Sequence, residues 1–235
     1  MQLFYAPELT ADQKEFFFDK EESKHIIKVL RKKTGDILHV TNGLGFLMEL
    51  QITLESERKC ATQVLKVTEY PQPNYRIHLA VAPTKMNERF EWFLEKATEM
   101  GIQEITPIIC EHSERKIIKT ERFEKIIQSA MKQSLQFHLP LLNAPISLKE
   151  FLKKDIEGHK YIAHCEDGAK KLLKNSIPKN EKYTLLIGPE GDFSSAEIQV
   201  ALQRNYQPVS LGHTRLRTET AAVVACHSFV FTNED

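Results

Sequence analysis

Leu185-Leu-Ile-Gly-Pro-Glu-Gly-Asp-Phe-Ser194 is an apolar run that enters a glycine-containing turn and leads into the start of a helix. The run predicts a buried strand, and Ser194 followed by Glu197 matches the capping box that opens a helix. A strand, a turn and a helix in this order are the repeating unit of α/β folds with a parallel sheet. The stretch therefore predicts this fold class for the region around it.

The turn of this stretch carries two carboxylates, Glu190 and Asp192. A strand that ends at a helix N-terminus is usually a site for anions. Each carboxylate would repel a phosphate about 5 Å away by roughly 3 kcal/mol at an effective dielectric constant near 20. The helix dipole offsets only about 0.3–1 kcal/mol of this repulsion. The turn therefore favours a neutral or cationic ligand such as a sulfonium cofactor, and its plain alternative is a connection capped by Asp192 or Ser194.

The same alternation of apolar runs and helical periods extends from Arg76 toward the end of the chain. Strands are predicted at Ile77–Ala82, Ile105–Ile109, Tyr161–Cys165, Tyr183–Ile187 and Pro208–Leu211. Helices are predicted at Met86–Met100 with Gly101 after its end, at Thr120–Leu135, after Ser194, and at Thr218–Phe231 with Thr218 as the N-cap. The apolar surface of the last helix is wider than that of a surface helix with a single buried face. We therefore expect this helix to pack in the core or to form a dimer seam.

The first 70 residues follow a different pattern, with short extended segments separated by turns. Strands are predicted at Ile37–Thr41, Phe46–Leu54 and Ala61–Thr68, and a helix with Ser23 as its N-cap is predicted before Gly35. Two prolines near residue 72 indicate a linker. The sequence thus predicts a β-rich domain at 1–70, a linker at 71–75 and an α/β domain at 76–235.

Composition excludes several classes of protein. The 235 residues include 32 Lys plus Arg and 32 Asp plus Glu, so the formal charge is zero and a protein that coats nucleic acid by bulk charge is disfavoured. We expect neither a signal peptide nor a membrane span. The four cysteines lie at least 50 residues apart, which predicts free thiols in a reducing, cytoplasmic compartment. No dinucleotide, P-loop, GxSxG or metal-ligand motif is present, so we expect no metal.

A second strand end runs into a helix at Ser210-Leu-Gly-His-Thr-Arg-Leu-Arg-Thr-Glu-Thr-Ala-Ala222. Arg215 and Arg217 precede the positive end of that helix, a place that disfavours cations unless they serve an anion or a polar ligand. The alternative is that both arginines are solvated or paired with Glu219.

A basic cluster lies near the N-terminus and contains no acidic residue. Lys24, Lys28 and Arg31 are predicted to lie on one helical face, from which they can follow a phosphate backbone. A solvated charged face is the alternative. The predicted RNA-binding residues are Lys24, His25, Lys28, Arg31, Lys32 and Lys33, together with Arg215 from the second strand end.

Four motifs occur together in this chain. They are His25-Ile-Ile-Lys-Val-Leu-Arg31 with Gly35-Asp36 and Asn42-Gly43; Lys85 with Glu95-Lys-Ala-Thr-Glu-Met-Gly101; Ile187-Gly-Pro-Glu-Gly191; and Leu211-Gly212 with Leu216-Arg-Thr-Glu-Thr-Ala221. In this order and spacing they resemble the RsmE family, the 16S ribosomal RNA uridine-N3 methyltransferases of the knotted SPOUT class, over nearly the whole chain. The chain departs from the family pattern at Asp192, where a second glycine is usual, and at Thr214-Arg215 and Gln136.

The resemblance implies a small N-terminal PUA-like β-barrel and a SPOUT α/β domain with a C-terminal trefoil knot. It also implies S-adenosylmethionine (SAM) as cofactor, 16S ribosomal RNA in the small ribosomal subunit as substrate, and a homodimer. The expected cofactor-binding residues are Gly188, Glu190, Gly191, Leu211, Gly212, Leu216, Arg217, Thr220 and Ala221. For catalysis we predict that Arg217 stabilises the uridine anion and that Glu190 or Glu219 takes the N3 proton.

Three other functions are compatible with the sequence. The chain could be a knotted methyltransferase for another RNA site, such as a transfer RNA base or a 2′-hydroxyl. It could be a catalytically inert RNA-binding factor in ribosome assembly, although intact Gly188-Pro-Glu-Gly191 and Arg217-Thr-Glu-Thr220 motifs argue against a degenerate site. A generic nucleotide-binding α/β enzyme is disfavoured by the missing phosphate motifs and the acidic turn.

Overall fold

The computed structural model describes residues 1–234, which form two compact units. The first unit contains Met1–Gln72 and also Met131–Leu139. The second unit contains Pro73–Ala130 and continues from Pro140. Residues 131–139, which the sequence assigned to the α/β domain, thus pack with the first unit.

The first unit is built on a five-stranded sheet with the strand order β1-β3-β4-β5-β2. Strand β1 is parallel to β3, and the other neighbours are antiparallel. The elements are β1 (Leu3–Tyr5), β2 (Glu15–Phe17), α1 (Lys20–Lys24), a π-helical turn (His25–Val29), β3 (Ile37–Thr41), β4 (Phe46–Leu54) and β5 (Ala61–Glu69). The predictions for β3 and β4 are confirmed at both ends, and β5 extends one residue beyond its prediction.

The core of this unit follows from the two-residue period of its strands. Met48, Leu50 and Ile52 alternate with less buried residues along β4 and point to the same side of the sheet. They pack with other apolar side chains of the unit, namely Phe4, Leu9, Phe16, Phe18, Ile26, Leu38, Val40 and Cys60.

The first helix begins earlier than predicted. Asp19 is its N-cap, and the carboxylate of Asp19 accepts a hydrogen bond from the backbone N–H of Glu22 at 2.8 Å. Ser23, the predicted N-cap, is buried inside the helix, where its hydroxyl donates to the carbonyl of Phe18 and accepts from the backbone N–H of Cys60 at 2.8 Å. The prediction was wrong because Ser23 uses its hydroxyl for a tertiary contact, while an acidic residue four positions earlier supplies the cap.

The prediction of one basic helical face is also wrong. Helix α1 ends at Lys24, and the next five residues form a π-helical turn that includes Lys28. Arg31 follows this turn with a left-handed φ of 54° and is not helical. The three basic residues therefore do not share one α-helical face.

Residues 131–139 join the first unit through the turn between β3 and β4. The backbone N–H of Gly45 donates to the carbonyl of Phe137 at 2.8 Å, and the N–H of Leu139 donates to the carbonyl of Gly43 at 2.8 Å. The ring of Phe137 also lies 4.4 Å from the ring of Tyr70, measured between centroids. Hydrogen bonds and apolar contact thus both fix this segment in the unit.

The second unit contains a parallel sheet in the strand order β11-β13-β10-β12-β6-β7-β8, with β9 also paired to β7. Its strands are β6 (Arg76–Val81), β7 (Glu104–Ile109), β8 (Leu141–Leu142), β9 (Ile146–Ser147), β10 (His159–Ala163), β11 (Lys171–Leu172), β12 (Lys182–Ile187) and β13 (Gln207–Ser210). Its helices are α2 (Asn87–Glu99), α3 (Thr120–Gln133, which ends in the first unit), α4 (Leu148–Phe151), α5 (Ser195–Gln203) and α6 (Thr218–Asn233), with a 3-10 turn at Leu173–Asn175.

The central strands are buried on both faces, as expected for a parallel sheet covered by helices. Residues 183–187 of β12 and 79–81 of β6 are buried without interruption. Helix α6 packs on this sheet, and the ring of Phe229 stacks on Tyr183 at 4.7 Å between centroids. The expectation that α6 packs in the core is confirmed for this face, whereas Phe231 is exposed.

The sheet order brings three carboxyl strand ends together. Strand β10 lies between β12 and β13, so the chain leaves these three neighbours at one edge of the sheet. Ligands of open α/β sheets bind outside the carboxyl ends of the strands where the strand order reverses. The fold therefore places a candidate site at this edge.

Candidate active site

A cavity of about 710 Å³ lies at the carboxyl ends of β10, β12 and β13 and at the start of α6. Its size falls within the range of about 300–1,000 Å³ that is typical of small-molecule sites. The lining residues are Ala163, His164, Cys165, Lys170, Ile187, Gly188, Pro189, Glu190, Asp192, Val209, Ser210, Leu211, Gly212, His213, Thr214, Arg215, Leu216, Arg217, Thr218 and Ala221.

Most of the predicted cofactor-binding residues line this cavity. They are Gly188, Glu190, Leu211, Gly212, Leu216, Arg217 and Ala221. Gly191 lies outside the lining, and a Cβ at its position would be 3.1 Å from the Cβ of His112. Thr220 is also outside and faces a separate cavity with Arg89 and Trp92.

Two chain segments that were predicted separately are joined at the cavity by one hydrogen bond. The hydroxyl of Thr218 donates to the carbonyl oxygen of Gly188 at 3.1 Å. The prediction that Thr218 is the N-cap of α6 is wrong. Arg217 occupies the N-cap position with an extended backbone, and its side chain makes no capping hydrogen bond. The Thr218 hydroxyl instead ties the start of α6 to the end of β12.

The turn after β12 is held by contacts to neighbouring loops. Oε1 of Glu190 accepts a hydrogen bond from the backbone N–H of Lys85 at 3.0 Å. The backbone of Asp192 has a left-handed φ of 63°, a conformation that costs most L-residues roughly 1–2 kcal/mol and that aspartate tolerates better than most. The capping box of Ser194 and Glu197 is present as predicted.

The two arginines of the second loop are free to bind a ligand. Arg215 and Arg217 are exposed and line the cavity, and neither guanidinium has a hydrogen-bond or ion-pair partner among residues 1–234. Glu219, the partner considered from the sequence, lies instead 3.8 Å from Nε of Arg89, measured from Oε1. The pairing alternative is therefore wrong.

Glu219 itself is buried beside α2 and lies outside the cavity lining. Its Oε2 has no hydrogen-bond partner among the described residues. Of the two predicted proton acceptors, the structure therefore brings only Glu190 to the cavity with Arg217.

The sequence analysis missed the segment after β10. His164, Cys165 and Lys170 line the cavity. Burial lowers the pKa of His164, and its Nδ1 is buried without a hydrogen-bond partner in the described structure. The available signal was the predicted strand Tyr161–Cys165, because the end of any central parallel strand is a candidate ligand position.

Comparison with known proteins identifies the family. A family described as "RNA methyltransferase domain" matches residues 71–230, and "RNA methyltransferase PUA domain" matches residues 18–65. Ribosomal RNA small subunit methyltransferase E of Buchnera aphidicola is 30% identical over 223 residues, which cover 91% of this chain and 87% of that protein. The chain belongs to the ribosomal RNA small subunit methyltransferase E family.

Solved structures agree with membership of this family. A "probable rRNA-methyltransferase" from Porphyromonas gingivalis is 39% identical, with a TM-score of 0.88 over 97% of this chain and 96% of that one. A methyltransferase structure from Legionella pneumophila is 30% identical, with a TM-score of 0.87 over 99% of this chain and 98% of that one. The Legionella structure contains SAM as the bound cofactor.

The predicted RNA-binding cluster of this family member lies in the first unit, apart from Arg215. Lys24, Lys28, Arg31 and Lys33 are exposed, and Lys32 is half-buried. His25 is also half-buried, and its Nδ1 lies 2.9 Å from Oε1 of Glu22. The cluster thus presents four exposed cations and one histidine that already has a carboxylate partner.

The remaining predictions concern cysteines, metals and membranes. All four cysteines are free thiols, with Cys60, Cys110 and Cys226 buried and Cys165 exposed. Burial raises the pKa of Cys226 to about 12. Within residues 1–234, neither a cluster of metal-ligating side chains nor a helix long and apolar enough to span a membrane is found.

Proposed function

We propose that this chain transfers the methyl group of SAM to N3 of a uridine in the 16S ribosomal RNA of the small ribosomal subunit. SAM-dependent methylation of small-subunit ribosomal RNA follows from the family. The observation that carries the proposal at the level of the site is the cavity at the carboxyl ends of β10, β12 and β13, where Arg217 has no partner among residues 1–234 and Glu190 lies in the same lining.

The cavity fits SAM in size and in charge. Its volume of about 710 Å³ suits a ligand of this class. The carboxylate of Glu190 favours a cation, and the buried Nδ1 of His164 offers a polar atom that awaits a partner. A Cβ on Gly212 would meet nothing within 4 Å, so the backbone there is open to close approach by a ligand. When bound, SAM supplies an electrophilic methyl group on a positively charged sulfur.

Arg217 and Glu190 carry the proposed chemistry of the protein. N3 of uridine must lose a proton before it can attack, and the resulting anion is spread over two carbonyl oxygens. A guanidinium beside the cavity stabilises that charge, so we assign this role to Arg217, with Arg215 contacting the RNA. Oε2 of Glu190 is not used by Lys85, so we assign proton removal to Glu190 rather than to Glu219.

The first unit and the basic residues supply the proposed grip on RNA. The exposed Lys24, Lys28, Arg31 and Lys33 suit phosphate contacts, which make binding weaker as salt concentration rises. His25, Lys32 and Arg215 complete the proposed set. The target base must leave its stack to reach the cavity.

The finer architecture is also part of the proposal. We place a C-terminal trefoil knot around the cavity, a β-barrel in the first unit, and a linker between the boundaries at 70 and 76, with residues 131–139 returning to the first unit, in a cytoplasmic homodimer. The resemblance to the SPOUT class supports these assignments. Light scattering should give twice the mass of one chain, and a mass equal to one chain would contradict the dimer.

The deciding experiment for the reaction uses purified protein, labelled SAM and small ribosomal subunits that lack the modification. Mass spectrometry of the RNA nucleosides should show the label in 3-methyluridine. Label in another nucleoside would replace the proposed substrate with another RNA site. Absence of both SAM binding and transfer would favour an inert RNA-binding factor.

A further inference from the structure

We propose that Asp192 is a positioning residue, which holds the segment after β10 against the cavity so that SAM can bind. Residues 164–170 form this rim segment. The inference rests on the proposed function, because it concerns the same cavity. It goes further by assigning a role to a residue that departs from the glycine usual at this position.

The carboxylate of Asp192 bridges two chain segments. Its Oδ2 accepts a hydrogen bond from the backbone N–H of Cys165 at 2.6 Å, and its Oδ1 accepts from the N–H of Phe193 at 2.8 Å. The first bond spans 27 positions of sequence and connects the turn after β12 with the rim segment. Bonds from backbone N–H to an ionised carboxylate are among the stronger ones.

The turn itself is oriented before it meets the rim segment. Nδ1 of His112 lies 3.1 Å from the carbonyl oxygen of Gly191 and 3.2 Å from that of Asp192. Since both partners are carbonyl acceptors, Nδ1 carries the proton and donates to them. Lys85 donates to Glu190 from another loop. The carboxylate of Asp192 therefore extends from a turn that is fixed on two further sides.

The rim segment depends on few other contacts. Nζ of Lys170 donates to the carbonyl of His164 at 3.0 Å and to the carbonyl of Glu166, so these bonds close the segment on itself. Its connections to the rest of the unit include the bond from Cys165 to Asp192 and the bond from Ser195 to Glu166. Of these two bonds, the one from Cys165 to Asp192 lies directly next to His164 in the chain.

His164 shows why this placement matters for binding. It directly precedes Cys165, lines the cavity and keeps a buried Nδ1 without a partner in the described structure. A shift of the Cys165 backbone would move the His164 ring relative to Gly188 and Glu190, which line the same cavity. Asp192 also lines the cavity, but both of its carboxylate oxygens accept backbone N–H groups, so we assign its effect on the ligand to the position of its neighbours.

The conformation of Asp192 separates its side-chain role from its backbone role. The left-handed φ of 63° suits glycine at least as well as aspartate. Replacement by glycine therefore keeps the turn and removes only the carboxylate. Replacement by asparagine also tolerates this φ and keeps one oxygen that can accept from the N–H of Cys165.

The experiment compares Asp192→Gly, Asp192→Asn and the control Asp167→Asn, which changes an exposed carboxylate of the same segment outside the cavity lining. We measure the SAM dissociation constant by calorimetry, the KM for SAM and kcat on small subunits, and amide hydrogen exchange at Cys165. Asp192→Gly should weaken SAM binding about tenfold, raise the KM for SAM similarly and leave kcat within about twofold. Exchange at Cys165 should become faster in this variant.

The asparagine variant is the decisive arm. It should recover most of the SAM affinity and of the Cys165 protection, whereas Asp167→Asn should match the wild type. Equal SAM binding by the wild type and Asp192→Gly would overturn the positioning role. Equal losses of SAM binding in Asp192→Gly and Asp192→Asn would also overturn it, because they would assign the effect to the charge of Asp192. Failure of the wild type to bind SAM would instead refute the proposed function. Thermal denaturation confirms that each variant is folded.

Discussion

At the carboxyl ends of β10, β12 and β13, the cavity is lined by two arginines without protein partners in residues 1–234 and by a buried histidine nitrogen that makes no hydrogen bond there. At the opposite end of the same sheet, a second cavity of about 270 Å³ lies at the amino ends of β6, β7 and β12. In this second cavity, polar side chains of the lining form hydrogen bonds with one another, unlike the two arginines of the first cavity.

The network at the amino ends is centred on Glu104. Its carboxylate accepts a hydrogen bond from Nη2 of Arg76 at 2.9 Å and another from Nδ2 of Asn143 at 2.7 Å. Asn143 also donates to the hydroxyl oxygen of Thr106 at 2.8 Å, and this hydroxyl lies 2.7 Å from Nε2 of His78. Burial lowers the pKa of His78 to about 4, so His78 is neutral at pH 7 and shares a hydrogen bond with the Thr106 hydroxyl through Nε2.

The difference between the two ends indicates their roles. Buried polar groups in folded proteins are nearly always paired, so a paired network is what stability alone requires. At the other end, the buried Nδ1 of His164 has no partner among the described residues, and the exposed guanidinium groups of Arg215 and Arg217 are available to a ligand. We expect mutations at the carboxyl ends to change ligand binding or turnover and mutations at the amino ends to change stability.

The largest expected effect is that of Arg217→Ala. Loss of the guanidinium should lower methyl transfer by about two orders of magnitude or more, because the uridine anion loses its stabilising charge. The melting temperature should change little, and the SAM dissociation constant should change far less than the rate of transfer. Single-turnover transfer from labelled SAM to small subunits measures the effect, with Arg204→Ala as a control on an exposed arginine outside the cavity. Unchanged turnover would remove Arg217 from the mechanism.

A pair of glycine substitutions tests the two ends directly. Gly158, with φ of 83°, lies beside the start of β12, and a Cβ there would overlap the carbonyl oxygen of Lys182. Gly212, with φ of 146°, has open space around its Cβ position in the other cavity. Gly158→Ala should lower the free energy of unfolding by about 3 kcal/mol, and Gly212→Ala by about 1–2 kcal/mol.

The loss of SAM affinity should rank these two variants in the opposite order from the loss of stability. Folded Gly158→Ala should bind SAM like the wild type, whereas Gly212→Ala strains the backbone of a residue in the cavity lining and should weaken binding. Urea unfolding and calorimetry provide the two measurements. Equal SAM affinity in both variants would contradict the division between the two ends.

Acid should weaken the network at the amino ends. Burial holds the pKa of His78 near 4, with smaller effects of Arg76 and Lys154 in the same direction and of Glu104 in the opposite one. The unfolded state therefore binds the proton more readily, so the contribution of His78 to stability is complete above about pH 6.5 and is lost as the pH falls toward 4. We expect a loss of about 1–2 kcal/mol between pH 7 and pH 5.

His78→Gln tests this expectation because glutamine does not titrate. Urea unfolding at several pH values should show a smaller fall in stability for this variant than for the wild type. A parallel fall in both proteins would assign the acid sensitivity to other groups, such as His164.

The smallest expected effect concerns the bond between α6 and β12. Thr218→Val removes the hydroxyl that donates to Gly188 and leaves the carbonyl of Gly188 unpaired. This loss should lower the free energy of unfolding by about 1 kcal/mol and weaken SAM binding. Thr218→Ser keeps the hydroxyl and should behave like the wild type in chemical denaturation and calorimetry. Equal effects of valine and serine would show that the bond contributes nothing.

The sequence predicted the elements whose signals are local. Strands β3 and β4, the capping box of α5 and the left-handed Gly101 after α2 are all confirmed. A two-residue period, a pair of capping residues and a glycine after a helix each act within a few positions, so they can be read without knowledge of the rest of the chain.

The missed features depend on contacts between distant positions. Strands β8, β9 and β11 have two residues each, too few to show any period. Ser23 and Thr218 look like N-caps locally but use their hydroxyls for tertiary bonds. For the site, glycines and arginines at strand ends were predictable, whereas His164 required knowledge of which strands are neighbours.

Residues 131–139 have a consequence for the way the protein is made. The first unit contains Met1–Gln72 and this later segment, so its sheet is synthesised long before its last component. During translation, the carbonyl of Gly43 and the N–H of Gly45 cannot form their hydrogen bonds with Leu139 and Phe137 until those residues have left the ribosome. The N-terminal unit of this ribosomal RNA methyltransferase is therefore completed only after more than half of the chain has emerged, and a fragment that ends at residue 72 lacks part of its own fold.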